Sequence, residues 1–489
     1  MPGITIVGLG PGAIGDLTLE AWDVLKEADE IWLRTLHHPV VKDLPQGVRL
    51  HSFDEVYERA ERFSDVYREI AERVLELGRR DAGVVYAVPG HPLVGESTVA
   101  RLLTASKEIG IPVRVVNGLS FVEPALTALG LDALDGLQIL DALDFLALHH
   151  PPLNPDQPAL IAQVYSRAVA SELKLVLMNQ YADDHPTVLI DGAGTAAESV
   201  RHLPLYEIDR HPVSALSTLY VAALPGVTSF EGFQETIARL RSPEGCPWDR
   251  EQTHESLRTN LLEECYEVLD AIDASSPSAL REELGDLLLQ IVLHAQIAVE
   301  EGDFYMTDMI AQIDAKLKRR HPHVWGGVDV QGVGDVITNW EAIKRQERDA
   351  KGTSERSLLA GIPKALPALA QAAAYADRAG RIGFERVAED GIWVELPQAV
   401  AHGVGHLMAA LQSQSAARSV DQLLGDLLLV VSDWARRSNI DPESALREAN
   451  QRFAERFYVL ERAARDADRS VDDLSNEEIR RLWTEAGIV

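Results

Sequence analysis

Cysteine is nearly absent. The 489 residues contain two, Cys246 and Cys265, and they form no CxxC pair. That count excludes a disulfide framework and a structural zinc site, and it fits a reducing compartment. Positive charge is also scarce, with 46 Lys and Arg against 76 Asp and Glu, a formal net charge of −30. A general binder of nucleic acid or of anionic membrane is thereby excluded, because basic surfaces hold those partners. A focused basic site for a small anion remains open. No apolar run approaches the roughly 18 residues of a membrane span, and the start MPGITIVGLGPG has no basic region ahead of an apolar core. The expectation is a soluble, cytoplasmic protein.

Packed cores are well supplied, since 46% of the residues are hydrophobic, and the length fits two to four domains. The stretch that organises the chain is Leu261 to Asp286, LLEECYEVLDAIDASSPSALREELGD. At about 100° per residue, Glu263, Glu264, Glu267 and Asp270 share one helical sector, opposite Leu261, Leu262, Cys265, Val268, Leu269 and Ile272. A second helix repeats the pattern, with Glu282, Glu283, Asp286 and Gln290 opposite Leu284, Leu288, Ile291 and Ala295; Ser275, Ser276 and Pro277 supply the break.

Two solvated acidic faces are the plain reading. Against it, no Lys or Arg occurs from Leu261 to Leu280, although exposed helices gain from such pairs. If the two helices pack antiparallel, Glu264, Glu267, Glu283 and Asp286 converge, and their mutual repulsion calls for a cation. An all-oxygen ligand set favours Mg²⁺ or Mn²⁺ and leaves coordination positions for phosphate and water.

Residues 1 to about 224 alternate short apolar segments with helical stretches. Strands are expected at Ile4–Leu9, Gly83–Val88, Val113–Val116, Leu173–Met178 and Thr218–Leu224, in a mostly parallel sheet. Glycine turns follow the first two, at Gly8, Gly10 and Gly12 and at Gly90-His91-Pro92, where α/β sheets bind ligands. A nicotinamide fingerprint is weak here, because Ala13 stands where GxGxxG needs its third glycine. From Pro225 the strand pattern ends, a boundary is placed near Gly226, and helices are expected to the end.

The helical part carries three further features. SPEGCPWDREQT at 242–253 holds Trp248, either a core residue or an exposed contact, and KLKRRHPHVW at 316–325 is a dense basic run. Alone that run is a solvated turn; in one helical unit with a cation-holding acidic face, it supplies the Lys and Arg that a triphosphate needs. His321 and His323 flank Pro322, a spacing that favours structural or substrate-contact roles over a metal pair. LGDLLL at 284–289 recurs letter for letter at 424–429, Arg452–Phe457 aligns with Lys316–His321, and Trp483 aligns with Trp340. In this second copy His402, Gly403 and His406 replace Glu263, Glu264 and Glu267, Leu423 replaces Glu283, and Asp426 alone keeps its acid. Lost oxygen ligands leave the copy a structural or regulatory role.

The motifs VGLGPG, LTLEAW, YAVPGHPLVGEST and VVNGLSFVEPA resemble those of the tetrapyrrole (corrin/porphyrin) methylases. That resemblance implies a two-lobed α/β domain over 1–224 with an S-adenosylmethionine cleft lined by Pro11, Gly90, His91, Val94, Ser120 and Met178. One departure stands out: His91 lies where that family commonly has Asp. The set EExxE, ExxD, CPWDREQT, KLKRRHPHV and WEAIKRQE resembles the MazG nucleoside triphosphate pyrophosphohydrolases. The layout as a whole is similar to the bacterial YabN-type fusion of the two.

The resemblance implies a multidomain chain, with an α/β methylase-like domain (1–224), an all-α MazG-type repeat with the intact acidic motif (225–352) and a degenerate all-α repeat (353–489). The implied reaction is hydrolysis of a nucleoside or deoxynucleoside triphosphate to monophosphate and pyrophosphate. Glu264, Glu267, Glu283 and Asp286 would hold Mg²⁺ or Mn²⁺, and Glu263 would orient water. Lys316, Arg319, Arg320 and Lys344 would bind phosphates, Trp248 or Trp340 would stack on the base, and a homodimer is expected. Two alternatives stay open: a methyltransferase with the helical repeats as a nucleotide-binding regulatory module, and a nucleotide-binding regulator without turnover.

Overall fold

The computed structural model describes residues 3–59, 62–350, 359–380, 400–405, 407–408 and 420–485. The chain divides into two compact units, Met1–Ile310 and Ala311–Val489.

In the first unit the opening sheet has the order β3-β2-β4-β1-β5. Its strands are β1 (Ile4–Gly8), β2 (Glu30–Leu33), β3 (Arg49–Ser52), β4 (Val84–Val88) and β5 (Val113–Val116), all parallel. Alternation along the strands feeds two cores. Ile4 and Ile6 of β1 and Val84, Tyr86 and Val88 of β4 join one cluster, while Val7 and Ala87 join the other. Burial on both faces explains why these strands read as continuous apolar runs.

The second sheet runs β6-β7-β10-β8-β9, from β6 (Gln138–Asp141), β7 (Ala159–Ala162), β8 (Pro186–Asp191), β9 (Ser199–Pro204) and β10 (Ser217–Val221). Only β6 and β7 are parallel in it, so the expected mostly parallel character holds for the first sheet and not the second. The strand expected at Leu173–Met178 is also corrected. That segment ends the helix Arg167–Leu177, which Ser166 caps by accepting from the Val169 amide. Val169, Ala170, Leu173, Val176 and Leu177 all enter the core of this lobe, a helical spacing that the short apolar window concealed.

After Val221 every regular element among the described residues is helical. Phe230–Arg241, Pro247–Glu251, Arg258–Asp273 and Pro277–Glu301 lie in the first unit, and the boundary between units falls inside Met306–Arg320. Ser275 adopts a left-handed φ of 51° in the break between the two acidic helices. Ser276 then caps the second by accepting from the Ala279 amide. Val292, Leu293, Ala295 and Ile297, in the later turns of that helix, pack with Ile237, Leu257 and Met306.

The face opposite the acids is less buried than the sequence pattern implies. Leu262, Leu269, Ile272, Leu284, Leu288 and Ile291 are exposed, whereas Ala271 is buried. Core contact is concentrated beyond Gln290, which leaves the hairpin end of the pair with an uncovered apolar side.

The second unit contains Val333–Ala350, Ala368–Gly380, Val420–Arg437, Pro442–Asp466 and Asn476–Glu485. Both LGDLLL copies are helical, in Pro277–Glu301 and Val420–Arg437. His402 is exposed, and His406 lies outside the described residues.

Candidate active sites

The acidic hairpin brings its carboxylates together. Glu264 and Glu267, one turn apart on Arg258–Asp273, and Glu283, near the start of Pro277–Glu301, offer oxygens that all lie within 4.8 Å of one another. It is the only such group of metal-ligating side chains among the described residues. Burial, with the negative charges of Asp286, Glu267 and Glu283, raises the Glu264 carboxyl above its ordinary value. Burial and repulsion from Glu267, Glu282 and Asp286 raise Glu283 as well. Asp286 thus belongs to the same electrostatic cluster while standing outside the tight trio. Like-charged oxygens this close are relieved by a divalent cation, and the all-carboxylate donor set fits a hard one. Glu263 is exposed and stands outside the trio.

Trp248 is on the short helix Pro247–Glu251 and is 57% exposed, so it is not a core residue. Arg241 secures the loop that follows, donating to the carbonyls of Asp249 and Gln252. His254, just after this loop, stacks on His294 with ring centroids 5.0 Å apart.

In the second unit the basic run is already paired. Arg319 and Arg320 both bind Glu347, at 2.6 Å each, and together they hold its carboxyl at about 2. Arg320 lies 5.4 Å from the Trp340 ring centroid and the Lys344 ammonium lies 5.7 Å from it. Lys316 is part-buried on the same helix as Arg320. His321 packs edge-on against Trp340 at 4.9 Å, and its Nδ1 lies 2.7 Å from the Leu317 carbonyl oxygen, which is a structural role. In the second copy Arg456 stands 5.9 Å from the Trp483 centroid, repeating the Arg-on-Trp contact.

The strand C-termini of the first sheet form the third site. A Cβ at Gly8 would lie 2.6 Å from the Gly90 carbonyl oxygen and 2.7 Å from the Gly118 amide, so glycine alone allows these three loops to meet. Gly90 donates to the Gly10 carbonyl at 2.8 Å, and both residues have left-handed φ. Beside them opens a cavity of about 430 Å³ between the two lobes.

Pro11, Gly90 and Val94 line that cavity; His91, Ser120 and Met178 do not. The His91 Nδ1 accepts from the Leu93 amide, and Ser120 donates twice to Glu123. Met178 caps its helix 39% exposed. At Gly90 nothing lies closer than 4.0 Å to a Cβ position, so the loop presents open backbone to the cavity, which suits a ligand held through main-chain groups.

Several residues escaped the sequence reading. Arg34, His38 and Gln163 line the cavity, and Glu96 pairs with Arg34. Arg34 follows β2 directly, a strand end where α/β sheets place ligands. That β2 was unrecognised hid it. Glu347 closes the motif WEAIKRQE, seven residues after Trp340.

Comparison with known proteins matches both halves. Residues 3–209 match the model for Tetrapyrrole (Corrin/Porphyrin) Methylases, and residues 252–325 match the MazG nucleotide pyrophosphohydrolase domain. The chain is 39% identical over 495 residues to the uncharacterized protein YabN of Bacillus subtilis, covering 99% of this chain and 98% of that protein. It is also 39% identical over 257 residues to the nucleoside triphosphate pyrophosphohydrolase/pyrophosphatase MazG of Thermotoga maritima, covering 53% of this chain and 95% of that one. The nucleoside triphosphate pyrophosphohydrolase of Escherichia coli shares 39% identity over 254 residues, 50% of this chain and 92% of that one. The chain therefore belongs to the family that, like YabN, joins a tetrapyrrole methylase domain to a MazG nucleotide pyrophosphohydrolase domain.

Proposed function

We propose that the first helical repeat, residues 225–352, hydrolyses nucleoside or deoxynucleoside triphosphates to monophosphate and pyrophosphate in the presence of Mg²⁺ or Mn²⁺. The observation that carries this reading is the convergence of Glu264, Glu267 and Glu283 to within 4.8 Å, inside the MazG-matched residues. A bound divalent cation neutralises phosphate oxygens and lowers the pKa of a coordinated water.

The chain's own groups take the other roles. Glu264, Glu267, Glu283 and Asp286 hold the ion. Glu263, exposed and outside the trio, is assigned to orient the attacking water and take its proton. Lys316, Arg319, Arg320 and Lys344 supply positive charge for the triphosphate. Trp248 is preferred over Trp340 for stacking on the base, since Arg320, Lys344 and His321 already crowd Trp340. Stacking tolerates any base, which supports broad specificity.

Residues 1–224 are assigned S-adenosylmethionine binding at the glycine loops, with Pro11, Gly90 and Val94 against the ligand. The second repeat, 353–489, is assigned a structural or regulatory role. The uncovered side at Leu262, Leu269 and Ile272 supports a homodimer. Pyrophosphate and monophosphate are measured from a panel of NTPs and dNTPs with Mg²⁺, using the full chain and the Glu264→Gln and Asp286→Asn variants. Equal turnover in a folded variant and the parent would remove the assignment.

A further inference from the structure

The cavity between the two lobes has one charged side chain in its wall, Arg34; the rest are apolar or bear amide, hydroxyl or imidazole groups. His38 brings no charge, because burial pushes its imidazole down to about 4, and both of its ring nitrogens are buried. The sheet sets the position of Arg34. It follows β2 directly, and its amide donates to the Ala87 carbonyl of β4 at 2.9 Å. β4 lies between β1 and β2. The glycine loops that end β1 and β4 and the Arg34 position thus follow one another along the strand C-termini, one strand spacing of about 4.8 Å apart.

The guanidinium is only partly engaged. Its Nε donates to the Tyr57 hydroxyl at 2.8 Å and its Nη1 to Glu96 Oε2 at 2.6 Å. A guanidinium has five N–H donors, and Nη2 has no hydrogen-bond partner among the described residues. The Arg34 side chain is 23% exposed and lines the cavity. Glu96, 1% exposed, is itself shared, since its Oε1 accepts from the Thr98 amide and caps the helix Ser97–Ile109. Tyr57 and Glu96 therefore fix the fork and leave Nη2 for a ligand.

Removing a carboxylate from water is unfavourable unless a cation meets it. The donor assigned to this cavity carries one carboxylate, on its amino-acid arm, whereas its adenine and ribose are uncharged and suit the main-chain groups of the glycine loops. We propose that Arg34 receives the carboxylate of the methyl donor through Nη2, so that the amino-acid arm lies toward β2 and the nucleoside toward the glycine loops. This assignment rests on the donor reading above. A planar guanidinium held at two of its nitrogens is preorganised to meet a carboxylate.

The test compares S-adenosylhomocysteine with its carboxamide, which keeps the amino group and loses the negative charge. Each is titrated by calorimetry into the full chain. The parent is expected to bind the acid about tenfold tighter than the amide. Arg34→Met is expected to bind the two within about twofold of each other, with the amide bound as in the parent, which reports an intact cavity. Arg34→Lys, which keeps the charge without the fork, is expected to retain part of the preference for the acid. Equal binding of acid and amide by the parent, or an undiminished preference in Arg34→Met, overturns the proposal. If Arg34→Met binds neither ligand, Arg34→Lys decides, and equal binding of the two by that variant overturns it. Binding of neither ligand by the parent removes the donor reading itself.

Discussion

Arg320 and Glu347 are joined by two hydrogen bonds, Nε to Oε1 at 3.3 Å and Nη2 to Oε2 at 2.6 Å. Arg319 shares the same carboxylate. Charge-assisted pairs of this kind fix guanidinium orientation, and Arg320 and Glu347 are each only 17% exposed in their side chains. Glu347 is therefore read as a positioning residue that holds two arginines ready for phosphate. Glu347→Gln is expected to raise KM for a triphosphate roughly tenfold, about 1.4 kcal/mol of binding, with kcat little changed. Steady-state kinetics decide it, and an unchanged or lowered KM sinks the positioning role.

The same pair sets an acid limit. The Glu347 carboxyl is held at about 2, below its ordinary 4.5. A depressed carboxyl contributes stability that is present above the unfolded value and lost as pH falls through the folded one. Parent and Glu347→Gln are thus expected to differ in thermal midpoint at pH 7 and to converge between pH 4.5 and 2.

The carboxylate cluster runs in the opposite direction. Glu264 and Glu283 are raised by burial and by neighbouring acids, so the ion-free protein loses stability as pH rises through their folded values. Mg²⁺ or Mn²⁺ at a hundred times its dissociation constant is expected to add about 2.7 kcal/mol at pH 7.5. Scanning calorimetry of the parent and Glu264→Gln checks this, with the ion-dependent shift lost in the variant and shrinking as pH is lowered. A shift equal in both proteins would place the ion elsewhere.

Much of this was legible in the sequence, for identifiable reasons. The acidic residues recur at helical spacing on two segments broken by Ser275, Ser276 and Pro277, and side-chain convergence follows from that hairpin. β1 and β4 read correctly because both faces are buried and glycine turns mark their ends, and β5, where Arg114 is exposed, was read from its three valines. β2, β3 and β6 to β9 did not: Arg49–Ser52 and Ser199–Pro204 carry polar residues and little apolar run, and β2 and β7, EIWL and ALIA, are apolar but only four residues long. The helix at 167–177 was misread because its last turns, LKLVL, hold four apolar residues in five. The Arg34–Glu96 pair beside the cavity was invisible, since the two residues are 62 apart in sequence and only the fold makes them partners.

Asp156 ties the methylase domain to the first helix of the bundle. Its carboxylate accepts from the amide and hydroxyl of Thr228 at 2.7 Å each and from the Ser229 amide at 3.0 Å, and the Ser229 hydroxyl bonds it as well. Ser229 in turn caps Phe230–Arg241 by accepting from Gly232. Hydrogen bonds from Ser229 and Thr228 hold the carboxyl at about 2. Asp156→Ala is expected to speed amide exchange at Thr228 and Ser229 and trypsin cleavage at Arg239 or Arg241, with carboxylate-cluster metal binding unchanged. Exchange rates equal to the parent's would show that the tie does not order this junction.

His254 and His294 bring their Nδ1 atoms to 2.7 Å, a distance that requires a proton between them, with one ring donating and the other accepting. Burial and then the neighbouring His254 lower the His294 imidazole from its ordinary 6.5. The His254 Nε2 lies 3.7 Å from Glu301 Oε2. A base whose folded value is depressed contributes stability that is present above the unfolded value and lost as pH falls from there through the folded one. When both rings are charged they repel, and the contact that His254, two residues beyond Gln252, makes with Pro277–Glu301 is weakened. The parent is expected to lose thermal stability from pH 6.5 downward, with the Trp248 fluorescence changing in parallel because the loop at 242–253 is anchored next to His254. In His294→Phe, which keeps a stacking ring and removes the titrating group, that segment of the pH profile should flatten while stability at pH 8 falls by about 1 kcal/mol for the lost hydrogen bond. A profile in the variant that still drops through pH 6 would assign the acid sensitivity to other groups.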